Sequence, residues 1–124
     1  IHTVGLLLLG RLTRYEAREE EKLFIQPYSA AGVLLTMTVV MGLFALHGIE
    51  IWLYAALYLK LGAVEGLREA VYFSTQAYGA IGFGDEALLP EWRIVAGIEG
   101  INGVILLGWS TAFFVTVMRR LSHF

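Results

Sequence analysis

Apolar residues dominate two long stretches of the chain and give way to mixed sequence between them. Residues 23–49 carry no charged side chain, and residues 100–118 form a second charge-free run. Roughly 20 apolar residues cross a bilayer core as a helix, so each run predicts a membrane-spanning helix. Pro27 stands where its missing N–H costs a helix nothing, and apolar residues continue from there to about Leu59. At 1.5 Å per residue such a helix reaches roughly 45 Å, so tilt or extension beyond the bilayer is expected. The second long helix is expected from near Trp92 to Arg119 and Arg120. Between them, Val64, Leu67, Val71 and Thr75 recur at helical spacing and predict one face of a short helix of about twelve residues. That length cannot cross a bilayer, so a re-entrant helix is expected.

The chain opens on "IHTVGLLLLGRL", an apolar run too short to span, followed by "RYEAREEEK", a dense mixed-charge run of good helix formers. The first reads as a surface-lying amphipathic helix or as the end of a truncated span. The second reads as a solvated helix or linker without chemistry. An opening on Ile1 rather than methionine suggests a fragment or a processed chain. The expected organisation is therefore an N-terminal segment over 1–27, a first transmembrane helix over 28–62, a re-entrant and loop segment over 63–91, and an inner helix with a short end over 92–124.

Composition supports the membrane reading. The chain is 57 % hydrophobic and 16 % charged, and a soluble domain of this size lacks the surface to bury two such helices. There is no cysteine, so no disulfide framework or thiolate site is available. No basic patch suggests nucleic acid, and His2, His47 and His123 are too scattered in sequence to suggest a metal site. Arg11, Arg14, Arg18 and Lys22 precede the first long helix, while Arg119 and Arg120 end the second. This excess predicts both ends in the cytoplasm. The outer connecting segment is net acidic and would concentrate cations.

Against this background, "YGAIGFGDE" over residues 78–86 places three glycines in nine residues, closed by two acids. Glycines weaken a helix, and irregular backbone at membrane depth survives only when buried in protein or lining a water-filled cavity. Alternating Gly82 and Gly84 permit left-handed dihedrals, so successive carbonyls can point the same way. Four such strands about an axis would form rings of carbonyl oxygens able to replace a cation's hydration shell. The preceding helix would aim its negative C-terminal end at the cavity below.

The stretch "FSTQAYGAIGFGDEALLPEW" resembles the pore loop of the two-transmembrane potassium channel family, and the resemblance extends over about residues 30–120. Ile81, Gly82, Phe83, Gly84 and Asp85 match five filter positions. Ala80 stands where the family has threonine, and Gly79 where it usually has threonine or serine. The resemblance implies that Gly79, Ala80, Ile81, Gly82, Phe83 and Gly84 bind potassium through backbone carbonyls. Ser74, Gln76 and Asp85 would support the filter, with Tyr72 and Phe73 beside Ser74 on the pore helix. Gly103 aligns with the glycine at which the inner helix can bend. Val104, Leu107 and Thr111 would line the cavity, and Val115 would lie near the inner constriction. "PEWRIVAGIEGINGVILLGWSTAFF" is similar to small bacterial ion channels, in which an additional apolar span often precedes the pore. The letters of a dinucleotide fingerprint (Gly82, Gly84, Ala87) lack the surrounding βαβ pattern.

Glu50 and Glu99 fall inside the expected membrane helices, where a carboxylate needs a partner. His47 and Asn102, each one turn away, offer local hydrogen bonds. Proton sensing or cation binding competes with a packing role behind the filter, and the packing role is expected. In "GWST", Ser110 has no histidine base identifiable by spacing, so small-residue packing is expected rather than a nucleophile. Trp52, Trp92 and Trp109 read as interface anchors or packing residues.

The expectation is an all-α membrane protein: two transmembrane helices flanking a re-entrant pore helix and filter strand, assembled as a homotetramer. It would sit in lipid, in a bacterial inner membrane, and pass monovalent cations, potassium foremost, without other cofactors, nucleic acid or catalysis. Ala80 lacks the hydroxyl that would complete the innermost site, so weaker discrimination of potassium from sodium is expected. A non-selective or non-conducting relative, or a small membrane subunit that binds a partner, remains the alternative.

Overall fold

A computed structural model describes residues 1–20, 29–82 and 89–122. The described residues form helices α1 (His2–Glu20), α2 (Ala30–Lys60), α3 (Leu67–Tyr78) and α4 (Arg93–Ser122), with one 3-10 turn at Pro90–Trp92. No strand occurs among the described residues. This is an all-α membrane architecture. Two helical stretches, Ala30–Lys60 and Pro90–Arg119, are long and apolar enough to cross a membrane. Only 22 % and 17 % of their apolar windows are buried within the chain. A helix that serves as the core of a soluble protein would be mostly covered, so the uncovered apolar faces call for lipid or other subunits.

The chain divides into two compact units, residues 1–47 with 109–124, and residues 48–108. In the first, the opening apolar run and the start of the charged run form one continuous helix, α1. It packs on the first half of α2 through its small residues: Gly5 lies under the Leu46 side chain, and Gly42 of α2 under Leu9. Close approach through glycine is the usual device where apolar helices pack without a hydrophobic driving force between them. Leu6, Leu35, Val39, Leu46 and Val117 are buried here. Thr36 Oγ1 reaches Met118 Sδ at 3.5 Å. The His2 ring lies 5.2 Å from that of His47 and 5.8 Å from that of Trp109.

Pro27, expected at the start of the first long helix, lies outside the described residues. The described α2 begins at Ala30, and Ser29 Oγ accepts the Gly32 N–H at 3.1 Å. A serine at this position satisfies one of the free N–H groups of the first turn.

In the second unit, α2 ends where Gly62 turns left-handed at φ 71°. Gly62 N–H then donates to Leu59 O and Ala63 N–H to Tyr58 O, the paired bonds that close a helix around a left-handed residue. After Gly66 (φ 91°) the twelve-residue α3 begins. Leu89 N–H donates to Ala63 O at 3.4 Å. The core of this unit is Ala55, Tyr58, Ala63, Val64, Ala70 and Phe73, with Trp92, Val95 and Ala96 packed against it. Tyr58 and Phe73 meet edge to face at 5.5 Å, the arrangement their ring quadrupoles favour.

The expected apolar face of the short helix is corrected. Ala70, Phe73, Ser74 and Tyr78 are its buried residues, whereas Leu67 and Thr75 are exposed. Val64 precedes the helix altogether, because Gly66 delays its start. Two polar residues belong to the buried face because their hydroxyls find carboxyl partners there.

Candidate functional site

The break after α3 is built by its own last carbonyls. Ala80 N–H donates to Ala77 O at 3.0 Å and Ile81 N–H to Gln76 O at 2.9 Å. These are the same paired bonds that end α2, but the left-handed residue is now Ala80, at φ 53°. Gly82 is left-handed again, at φ 80°, while Ile81 between them is not. A positive φ at every second residue is compatible with a backbone whose carbonyls line up on one side, which a cation-binding strand would require. Residues 79–82 are all exposed in the single chain; at membrane depth such backbone would need another subunit or a water-filled cavity beside it.

An alanine held at positive φ carries strain of about 1 kcal/mol. Ala80→Gly removes it and costs some unfolded-state entropy, so thermal stability in detergent should stay within about 1 kcal/mol of wild type. Ala80→Val places a β-branched residue in the same conformation and should lower stability by roughly 1–3 kcal/mol. Equal melting temperatures for the two variants would refute a left-handed Ala80.

Behind this segment, α3 is seated on α4 and α2. A Cβ on Gly103 would collide with the Tyr78 carbonyl, and one on Gly100 would stand 3.1 Å from Ala77 O. The end of the short helix therefore rests on a two-glycine surface of α4. Tyr78 OH donates to Glu50 Oε2 at 2.5 Å. Tyr58 OH donates to Glu99 Oε2 at 2.7 Å. Ser74 Oγ lies between the Ile51 carbonyl, 2.9 Å away, and Glu99 Oε1. Asn102 Nδ2 donates to Tyr54 OH at 3.2 Å.

Two helices long and apolar enough to cross a membrane, with a short helix between them that ends at positive-φ Ala80 and Gly82, are the described elements. Residues 46–120, more than half of the chain, match the model of a family described as ion channel. The chain belongs to this ion channel family. No curated protein and no solved structure matches it.

The channel's expected ion-binding residues lie in two groups. Gly79, Ala80, Ile81 and Gly82 form the exposed segment after α3. Phe83 and Gly84, with the supporting Asp85, lie outside the described residues. Gln76 is half-buried, and its Oε1 is enclosed without a hydrogen-bond partner among the described residues. Ser74 faces Ile51 and Glu99, so any support it gives residues 79–82 passes through α3. Val104, Leu107, Thr111 and Val115 recur along α4 and are all exposed. Gly103 is buried within an unbroken α4.

Local pairing of Glu99 with Asn102 is corrected. Glu99 takes partners from α2 and α3, and Asn102 turns to Tyr54. Both hydroxyls lie far from Glu99 in sequence, so helical spacing could not reveal them. The tyrosines were the available signal: Tyr54 and Tyr58 sit one turn apart in an apolar helix, where a buried hydroxyl needs a partner. Ser110 also has a histidine after all, with His2 Nε2 3.3 Å from its Oγ. Ser110 is interior to α4, where the backbone N–H groups are committed to the helix and supply no oxyanion site. Trp92 packs on the core, whereas Trp52 is 55 % exposed.

Proposed function

We propose that the protein is a cation-conducting pore formed by four copies of the chain, with potassium the preferred ion. The observation that carries this reading is the alternation of left-handed Ala80 and Gly82 at the C-terminal end of α3. One chain supplies one strand, and a ring of carbonyls needs several. The exposed residues 79–82 and the mostly uncovered apolar helices agree with assembly about that strand.

In this reading the carbonyls of residues 79–83 take the place of water around a dehydrated monovalent cation. The negative end of the α3 dipole favours a cation in the cavity beneath. The residues from Val104 to Val115 named above line the inner passage, and both ends of the pore unit face the cytoplasm. Ala80 offers a carbonyl without a hydroxyl, so the innermost site is the weak one and sodium is rejected less strongly than a complete filter would reject it.

Flux into liposomes holding purified protein tests this reading. Potassium flux above sodium flux, with N-methylglucamine excluded and a tetramer in mild detergent, is the expected result. A monomer or dimer passing no cation would favour a membrane subunit that serves a partner.

A further inference from the structure

We infer that Glu99 is a positioning residue, a neutral carboxyl that ties α3 to both long helices and so holds the strand in register. The inference rests on the pore reading above. Glu99 is fully buried, at 0 % exposure, and each of its oxygens meets a hydroxyl from a different element. Tyr58 of α2 donates to one oxygen, and Ser74 of α3 meets the other.

Hydrogen counting decides the form of the acid. The Ser74 hydroxyl has one hydrogen but faces two oxygens, those of Ile51 and Glu99. The Ile51 carbonyl can only accept, and so can an ionised carboxylate. A carboxyl carrying its own proton completes the set, with the chain running from Tyr58 through Glu99 and Ser74 to Ile51. Of the other polar groups on these elements, Tyr54 and Asn102 bond each other, and Tyr78 bonds Glu50. Buried networks of this kind specify one arrangement when every member is satisfied, and are costly when one is removed.

The geometry links this tether to conduction. Ser74 lies one turn before Tyr78, the last residue of α3, and residues 79–82 continue directly from it. Ser74 is itself fully buried, so loss of its partner leaves an enclosed hydroxyl rather than a hydrated one. An α3 free to rotate or slide would misalign the carbonyls it carries.

The test compares wild type with Glu99→Gln, Glu99→Ala and Tyr58→Phe in liposomes, reading the potassium-to-sodium permeability ratio and amide hydrogen exchange of α3 on the same preparations. Glutamine has a carbonyl oxygen that can accept from Tyr58 and an NH2 group that can donate to Ser74, the two roles a neutral carboxyl fills, so it should keep both readouts close to wild-type values. Alanine should lower the permeability ratio about tenfold and speed α3 exchange by a similar factor. Tyr58→Phe removes a single hydroxyl at constant shape, should speed α3 exchange severalfold, and decides the matter if the alanine variant does not fold. Unchanged exchange in Tyr58→Phe or in a folded Glu99→Ala overturns the tether, and a glutamine variant as impaired as alanine overturns the neutral form. If wild type passes no cation, the pore reading falls while the exchange arm still judges the tether.

Discussion

Gly103→Ala should nearly abolish cation flux and lower the thermal stability of the purified protein. The added methyl would meet the Tyr78 carbonyl oxygen, with the carbonyl carbon 2.8 Å and the Cα 3.0 Å away. Carbon atoms pack at about 3.5–4.0 Å, and the obstructing atoms are backbone, which cannot turn aside as a side chain does. Either α3 lifts from α4 or α4 bends, and overpacking of this kind costs roughly 1–3 kcal/mol. The movement would fall at Tyr78, which is bonded to Glu50 and runs directly into residues 79–82. Gly97→Ala and Gly108→Ala provide the contrast, since a Cβ at either meets nothing within 4 Å. Both should be neutral or stabilising by up to about 1 kcal/mol through helix propensity. A glycine needed only for bending would behave differently: alanine at 103 would then alter opening while leaving the melting temperature unchanged or raised. That result would remove the seating role assigned here.

Gly82→Ala should eliminate flux more completely than it weakens assembly. Gly82 sits at φ 80° with open space where its Cβ would be. Within one chain, therefore, the cost comes from the backbone conformation, about 1–2 kcal/mol for an L-residue. The proposed tetramer would bear that cost four times around one axis, and four methyl groups would crowd the passage. Ordinary potassium flux through a tetrameric Gly82→Ala protein would mean that residue 82 does not shape the filter. Gly84→Ala is expected to act alike, on the strength of the alternating sequence pattern alone.

The two long helices were legible because charge-free runs of this length leave few other structures available. The break after Tyr78 was legible for a similar reason: glycines and acids interrupt an otherwise apolar pattern. Ala80 was not legible as a left-handed residue, since alanine carries no signal for that conformation and only the bonds to Ala77 and Gln76 reveal it. The buried face of α3 was also hidden. Periodicity selects apolar residues, whereas this face includes Ser74 and Tyr78, whose burial depends on acids contributed by α4 and α2. For Gly103 the family resemblance implied a bend, and the structure adds a close approach to Tyr78 that no spacing rule describes. Glu50 and Glu99 were recognisable as needing partners, but the partners lie 28 and up to 41 residues away.

The central claim is that the backbone after α3 becomes the ligand of a permeating cation. Its most direct test is the reversal potential of purified protein in a planar bilayer, with potassium on one side and N-methylglucamine, then sodium, on the other. The account predicts a potential set by potassium against N-methylglucamine. Against sodium it predicts a potential of the same sign but smaller. A potential near zero against N-methylglucamine, or a tetramer that carries no cation current at all, would contradict it.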